Sequence, residues 1–224
     1  IEAETFQPAF SPDGKEVAYL EERTELKVVN LESGKTRTIL PRDVNYSYID
    51  GDQWYEWSPD GQSFLVQFMS PTRWSSEVGL IPSSGEGELV NLTQSGYEDY
   101  VPHWALEGKA MYWATDRYGN RMQAGWSSEV DVRLAFFTRE AWDRYHLSEA
   151  ELEQLKAKEE KDKKKEKDKD EDESEGEEDG DKKKEEGEDE EDEDEIKLPD
   201  PVELELEDLK DRIVRLTIHS SRMA

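Results

Sequence analysis

Phe10-Ser11-Pro12-Asp13-Gly14-Lys15 and Trp57-Ser58-Pro59-Asp60-Gly61-Gln62 are the same phrase written twice, and Trp104-Ala105-Leu106-Glu107-Gly108-Lys109 is a looser third copy, 47 residues further on each time. In every copy an aromatic side chain leads into a tight turn. Proline fixes φ at a turn position, glycine admits a positive φ, and the aspartate side chain folds back onto its own backbone. Apolar residues follow each turn, at Val17, Phe64 and Met111. The phrase therefore predicts a hairpin, and the period predicts that each hairpin belongs to one repeated unit.

Working outward, short apolar or alternating runs bounded by turn residues predict the other strands. Val17-Ala-Tyr-Leu, Leu26-Lys-Val-Val-Asn-Leu and Thr38-Ile-Leu make up the first unit, with a turn at Ser33-Gly34. Phe64-Leu-Val-Gln-Phe, Val78-Gly-Leu-Ile and Leu89-Val-Asn-Leu repeat that order. Met111-Tyr-Trp-Ala and Val130-Asp-Val-Arg-Leu-Ala-Phe-Phe begin the third unit around an Asp116–Asn120 turn. A period in the forties built from short strands is the signature of β-propeller blades. The expected fold is all-β: a partial β-propeller of about three blades, near residues 1–50, 51–97 and 98–137 plus 202–220.

The third unit breaks its period. Phe10 to Leu40 covers 30 residues, whereas Trp104 to Leu216 covers 112. The excess of 82 residues predicts an excursion within one blade, centred on 138–201. Ser148 and Glu151 have capping-box spacing, with Leu147 and Leu152 placed as a hydrophobic staple, so a helix is expected near 148–160. Glu159–Lys163 and Glu160–Lys164 would support it at i,i+4 spacing. From about Asp170 to Glu195 almost nothing is apolar, which predicts a disordered acidic tract. Leu209-Lys-Asp-Arg-Ile-Val-Arg-Leu-Thr is then read as the returning strand.

The net charge is −28 over 224 residues, and residues 158–195 contribute half of it, with 24 acidic residues and 10 lysines. Such acidity argues against nucleic acid and against an anionic membrane surface as partners. No apolar run reaches the length needed to span a bilayer. The absence of cysteine excludes disulfides, thiolate zinc sites and a cysteine nucleophile. No HExxH, GxSxG, phosphate-loop or dinucleotide fingerprint is present.

The aromatic-Ser-Pro-Asp-Gly-Lys phrase at this period resembles the Tricorn/TolB-type (WD40-like) propeller repeat. Asp131-Val-Arg-Leu-Ala-Phe-Phe-Thr-Arg-Glu-Ala-Trp-Asp-Arg-Tyr, the helix after it, the charged insertion and the Leu209–Thr217 segment together resemble the propeller half of Tricorn-like serine peptidases of the S41 class. The resemblance covers most of residues 1–224 outside the acidic tract. It implies a non-catalytic β-propeller that binds peptides or unfolded polypeptide and guides them to a downstream protease domain. Closure of a ring by roughly four to eight blades implies further blades before Ile1 and after Ala224. The family also implies a homo-oligomer and a cytoplasmic location, with the periplasm or secretion as the alternative. A TolB-like protein-binding propeller with no peptidase activity is the competing reading. A prolyl-oligopeptidase-type propeller is a third, and it would require a downstream nucleophile elbow.

Within this chain no catalytic, cofactor-binding or metal-binding residues are assigned. Asp13 and Asp60 fall on successive units and read as turn residues. His219-Ser220-Ser221 puts a base beside a hydroxyl, but neighbours in an extended segment point to opposite sides. His103 reads as structural. Trp54 and Tyr100, just ahead of the repeated turns, are the candidate peptide contacts, and the other aromatics near them read as packing between sheets.

Overall fold

Each repeated phrase forms the turn between the first two strands of a four-stranded antiparallel sheet. The computed structural model describes residues 3–70, 72, 74–121, 128–174 and 198–221, with 162–174 described by backbone alone. The first sheet contains β1 (Thr5–Phe10), β2 (Glu16–Glu21), β3 (Glu25–Asn30) and β4 (Thr36–Leu40), in that order. The second contains β5 (Tyr55–Trp57), β6 (Ser63–Met69), β7 (Ser76–Pro82) and β8 (Val90–Asn91). The third contains β9 (Asp99–Ala105), β10 (Ala110–Thr115), β11 (Asp131–Phe136) and β12 (Ile213–Arg215). The fold is thus mostly β-sheet, with two α-helices among the described residues.

The first two turns are near copies. Ser11 Oγ donates to Asp13 Oδ1 at 2.6 Å and accepts from Glu16 N–H at 2.9 Å, while Lys15 N–H reaches the same aspartate oxygen at 3.0 Å. Ser58, Asp60, Ser63 and Gln62 repeat this at 2.5, 2.9 and 3.1 Å. Gly14 and Gly61 both sit at φ 71°, which a side chain would strain.

Alternation along the strands sorts side chains into two layers. Ala18, Leu20, Leu26 and Val28 of the first sheet pack with Trp57, Phe64, Val66 and Phe68 of the second. Leu65, Val78 and Leu80, from the opposite face of the second sheet, pack with Met111, Trp113 and Ala135 of the third. The second sheet is therefore apolar on both faces, which explains its near-continuous hydrophobic runs. Burial of side chains such as Phe64 or Leu65 contributes roughly 2–3 kcal/mol each. On the other side of the first sheet, Lys27 bonds Glu21 and lies 3.5 Å from Glu25, which Arg42 joins at 3.2 Å.

The first strands of the first and third sheets carry a bulge at equivalent positions. Gln7 (φ 51°) and Val101 (φ 52°) lie where the pairing register slips, between Phe6 and Ala9 and between Tyr100 and His103. A β-branched residue in the left-handed region is uncommon, and Val101 N–H is caught by Gln67 Oε1 at 3.3 Å.

The returning segment differs from its expected form. Only Ile213–Arg215 is strand; Leu209–Arg212 is a 3-10 turn entered from Asp208 at φ 55°. The turn sends Leu209 into the layer between the second and third sheets, with Leu204 and Leu206 beside it. It also buries Arg212, whose guanidinium donates to Phe136 O at 3.1 Å, Phe137 O at 3.3 Å, Glu207 O at 3.2 Å and Glu205 O. A regular strand would have carried the guanidinium away from these carbonyls.

Two compact units divide the chain: the sheets, with residues to 142 and from 196 onward, and a helical unit, 143–195. Helix α1 (Arg139–Tyr145) begins in the first unit, where Ala141 and Trp142 cover Ala110, Leu134 and Phe136 on the outer face of the third sheet. In the helical unit, α2 (Glu149–Ser174) starts at the expected capping box, with Ser148 N–H donating to Glu151 Oε2 at 2.9 Å. It continues past residue 160 to Ser174, so Asp170–Ser174 are helical rather than disordered. Glu159 pairs with Arg144 at 2.6 Å; the side chains of Lys163 and Lys164, and the tract from 175 to 195, lie outside the described residues. No helix among the described residues is long and apolar enough to cross a membrane.

Candidate functional site

The repeat has a tertiary counterpart in a ladder of aromatic donors. Tyr55 Oη donates to Gln7 O and, at 3.1 Å, to Ala18 O; Trp57 Nε1 donates to Ala9 O at 3.2 Å. One unit later, Trp104 Nε1 reaches Glu56 O at 3.5 Å. In each case the first strand of one sheet holds the first strand of the sheet before it, and Tyr55 also reaches Ala18 on the second. Burial pushes the Tyr55 phenol well above its ordinary value, so it remains a donor. Phe10, the equivalent of Trp57 in the first sheet, has no sheet of the described residues over it and is 69% exposed, against 8% for Trp57.

Trp54 belongs to this ladder with the opposite sense: its Nε1 donates forward to Pro102 O at 2.8 Å. Its ring meets His103 edge-on at 4.9 Å, His103 stacks on Tyr112 at 4.9 Å, and His103 Nδ1 lies 3.0 Å from Glu56 Oε2. Tyr100 is half-buried on β9 opposite Ala114. Burial, then the carboxylates of Asp116, Glu98 and Asp99, push its phenol up. Trp54 and Tyr100 thus flank the same bulge, Trp54 bonding two residues beyond Tyr100.

Ser220 is engaged by partners other than His219. Ser220 Oγ donates to Asp131 Oδ2 at 2.8 Å and accepts from Arg215 at 3.3 Å, while His219 is exposed. Burial pushes the Asp131 carboxyl up, but bonds from Thr217, Ser220 and Arg215 outweigh it and hold the group below the usual carboxylate range. The serine hydroxyl therefore bonds a carboxylate and not an imidazole, whereas a nucleophile needs a base oriented against it. Asp13 and Asp60 are turn residues, and Asp60 has a second use: its Oδ2 accepts from Val202 N–H at 2.7 Å, anchoring the returning segment.

The most open chemistry lies at the ends of the sheets opposite these turns. The loop before β5, the β6–β7 turn and Glu98 surround a cleft of about 400 Å³. Tyr46 meets Tyr48 edge-on at 4.7 Å and Trp74 at 5.3 Å. These rings are 43%, 71% and 65% exposed. Exposed aromatics gathered in this way mark interaction sites more often than single exposed apolar residues do. Trp74 is held at φ 53°, a conformation costing about 1–2 kcal/mol for a bulky residue. Asp52 Oδ2 accepts from Tyr48 N–H at 2.5 Å and Ile49 N–H at 3.2 Å. Burial raises the Asp52 carboxyl, but hydrogen bonds from Ser47, Tyr48, Ile49 and Gln53 outweigh it and keep the group ionised below the usual range. Glu98 Oε2 accepts from Ser76 N–H at 3.0 Å, and the side-chain Oδ1 of Asn45 is buried with no hydrogen-bond partner.

Sequence reasoning did not find this cleft. Its residues come from three separate loops, and the only local signal was the density of Tyr46, Tyr48 and Trp74 in segments without strand pattern. Compared with models of known protein families the chain matches none, and no curated protein matches it.

Proposed function

We propose that this chain is the non-catalytic β-propeller part of a Tricorn-like serine peptidase, three blades that hold an extended peptide for a peptidase domain carried elsewhere. The observation that carries the reading is the aromatic ladder. Successive four-stranded sheets are joined through their first strands at the sequence period, as blades arranged around one axis would be. The inner strands and the loops at one end of the sheets would then face a common channel, where Trp54, Tyr100 and the aromatic cleft are available to a peptide. Rings, bulged backbone and carboxylates offer sequence-tolerant contacts of the kind extended peptides use.

The test is a titration of the purified chain with fluorescein-labelled, unstructured peptides of about ten residues, read by anisotropy. Saturable binding is expected, weakened at least tenfold by Trp74→Ala, with no peptide cleaved on long incubation. Binding only to folded proteins would replace this reading with the TolB-like one. Turnover abolished by Ser220→Ala or Ser221→Ala would overturn the non-catalytic assignment.

A further inference from the structure

Several rings elsewhere in the molecule are covered by an arginine. Arg23 lies 5.6 Å over Phe6, Arg121 lies 4.5 Å over Tyr97, and Arg215 lies 4.9 Å over Tyr118. These rings already hold a cation from the same chain. Tyr46, Tyr48 and Trp74 carry no such cation among the described residues, although they are among the most exposed aromatic side chains.

We propose that this cleft is a recognition site for a cationic side chain, a lysine or arginine of the bound peptide; the proposal rests on the peptide-binding reading above. Three observations converge on a cation. Tyr46, Tyr48 and Trp74 gather at one exposed cleft, and the electron-rich faces of such rings attract ammonium and guanidinium groups. The charged residues lining the cleft are Asp52 and Glu98, both acidic, with no lysine or arginine among the described lining. Its acceptors are the two carboxylates: Asp52 is ionised, and Glu98 uses one oxygen on Ser76 N–H.

Scale and field agree with this occupant. A volume of about 400 Å³ admits a long side chain and part of its backbone. The alkyl stem of lysine or arginine would lie against Met69 and the rings, with its charged head toward the carboxylates. A net charge of −28 raises the local concentration of cationic peptides. Trp74 is left-handed where the β6–β7 turn closes, its N–H bonding Ser70 O at 3.1 Å, and its indole is 65% exposed at the cleft.

The decisive comparison uses Ac-Ala-Ala-Lys-Ala-Ala-NH2, its arginine analogue and its norleucine analogue, each labelled and titrated by anisotropy against the purified chain. The lysine and arginine peptides are expected to bind at least fivefold more tightly than the norleucine peptide, and added salt should erode that preference. Trp74→Ala and Glu98→Gln should each reduce the preference to less than twofold. Glutamine retains the acceptor for Ser76 N–H, so a misfolded loop would not explain that loss. Arg73 neighbours Trp74 in sequence, so the series is repeated on Arg73→Ala to remove a competing cation; a lysine preference on that chain supports the proposal equally. Equal affinity for lysine and norleucine peptides on both chains overturns the cationic site while leaving peptide binding intact. Failure of all three peptides to bind overturns the peptide reading and this inference with it.

Discussion

At Asp13 and Asp60 the turn is closed by side chains; at Glu107 it is closed by backbone alone. In the first two turns a serine hydroxyl and an aspartate carboxylate bridge the corner, and only the glycine takes a positive φ. In the third, Ala105 and Glu107 replace the serine and aspartate, and three consecutive residues are left-handed: Leu106 at 51°, Glu107 at 57° and Gly108 at 91°. Only Lys109 N–H to Leu106 O, at 3.1 Å, spans that corner. The altered corner is where the chain comes back from its excursion. A Cβ on Gly108 would sit 2.6 Å from Val202 Cγ2, and the neighbouring turn supplies Asp60 Oδ2 to Val202 N–H. The motif decays where its surface is reused to receive the returning segment.

The largest test of that comparison is Arg212. If the returning segment completes the third sheet, removing its guanidinium takes a donor from four carbonyls, two on the outgoing chain and two on the returning one, of which Phe137 O keeps Glu205 N–H at 3.0 Å. Arg212→Leu is expected to destabilise the sheets by about 3–4 kcal/mol, since buried unpartnered polar groups cost about 1–3 kcal/mol each and some carbonyls will find water. Urea denaturation followed by tryptophan fluorescence measures it. A loss under 1 kcal/mol would mean that the excursion's base is held by something else.

A smaller effect separates the two aspartates. Asp60→Ala removes both the corner and the anchor on Val202, for an expected loss of about 2 kcal/mol; Asp13→Ala removes only a corner, for about 1 kcal/mol. Equal losses would show that Asp60 does not hold the returning segment. The acid limb provides a second readout for Asp13. Its bond from Ser11 is the largest influence, and with Lys15 N–H it outweighs the opposing effect of burial and depresses the carboxyl. A depressed folded value means the stabilisation is present above the unfolded carboxylate range, near pH 4, and is lost as pH falls through the folded value. Asp13→Asn should flatten the stability profile in that window.

How far the sequence was legible follows from where each constraint acts. Hairpin corners were readable because proline, aspartate and glycine act within four residues. The split of the third unit was readable because Ile213–Arg215 still alternates as a strand. Arg212 was not: Lys210-Asp-Arg reads as an exposed charged run, and only the carbonyls of Phe136 and Phe137 make an inward guanidinium favourable. The bulges at Gln7 and Val101 escaped for a similar reason, since their register slip is defined by the partner strand. Trp54 and Tyr100 were singled out as candidate contacts from their positions ahead of the turns. That Trp54 bonds Pro102 O, and that Tyr46, Tyr48 and Trp74 share one cleft, depends on loops meeting from distant parts of the chain.

The finest test concerns the third corner itself. Glu107 is exposed and makes no side-chain bond to close the turn, so at φ 57°, ψ 37° it bears the steric cost of a left-handed L-residue with nothing offsetting it. Replacing it by glycine relieves that cost but widens the unfolded ensemble, effects of about 1–2 and about 0.5–1 kcal/mol respectively. Glu107→Gly should therefore stabilise the sheets by about 0.5–1 kcal/mol. The same idea predicts the opposite sign at Gly14, where alanine at φ 71° introduces the strain that Glu107 now carries. Thermal melts of the two variants would settle the contrast. A destabilised Glu107→Gly would show that the glutamate carries a compensating interaction and that the third corner is more than a worn copy of the first two.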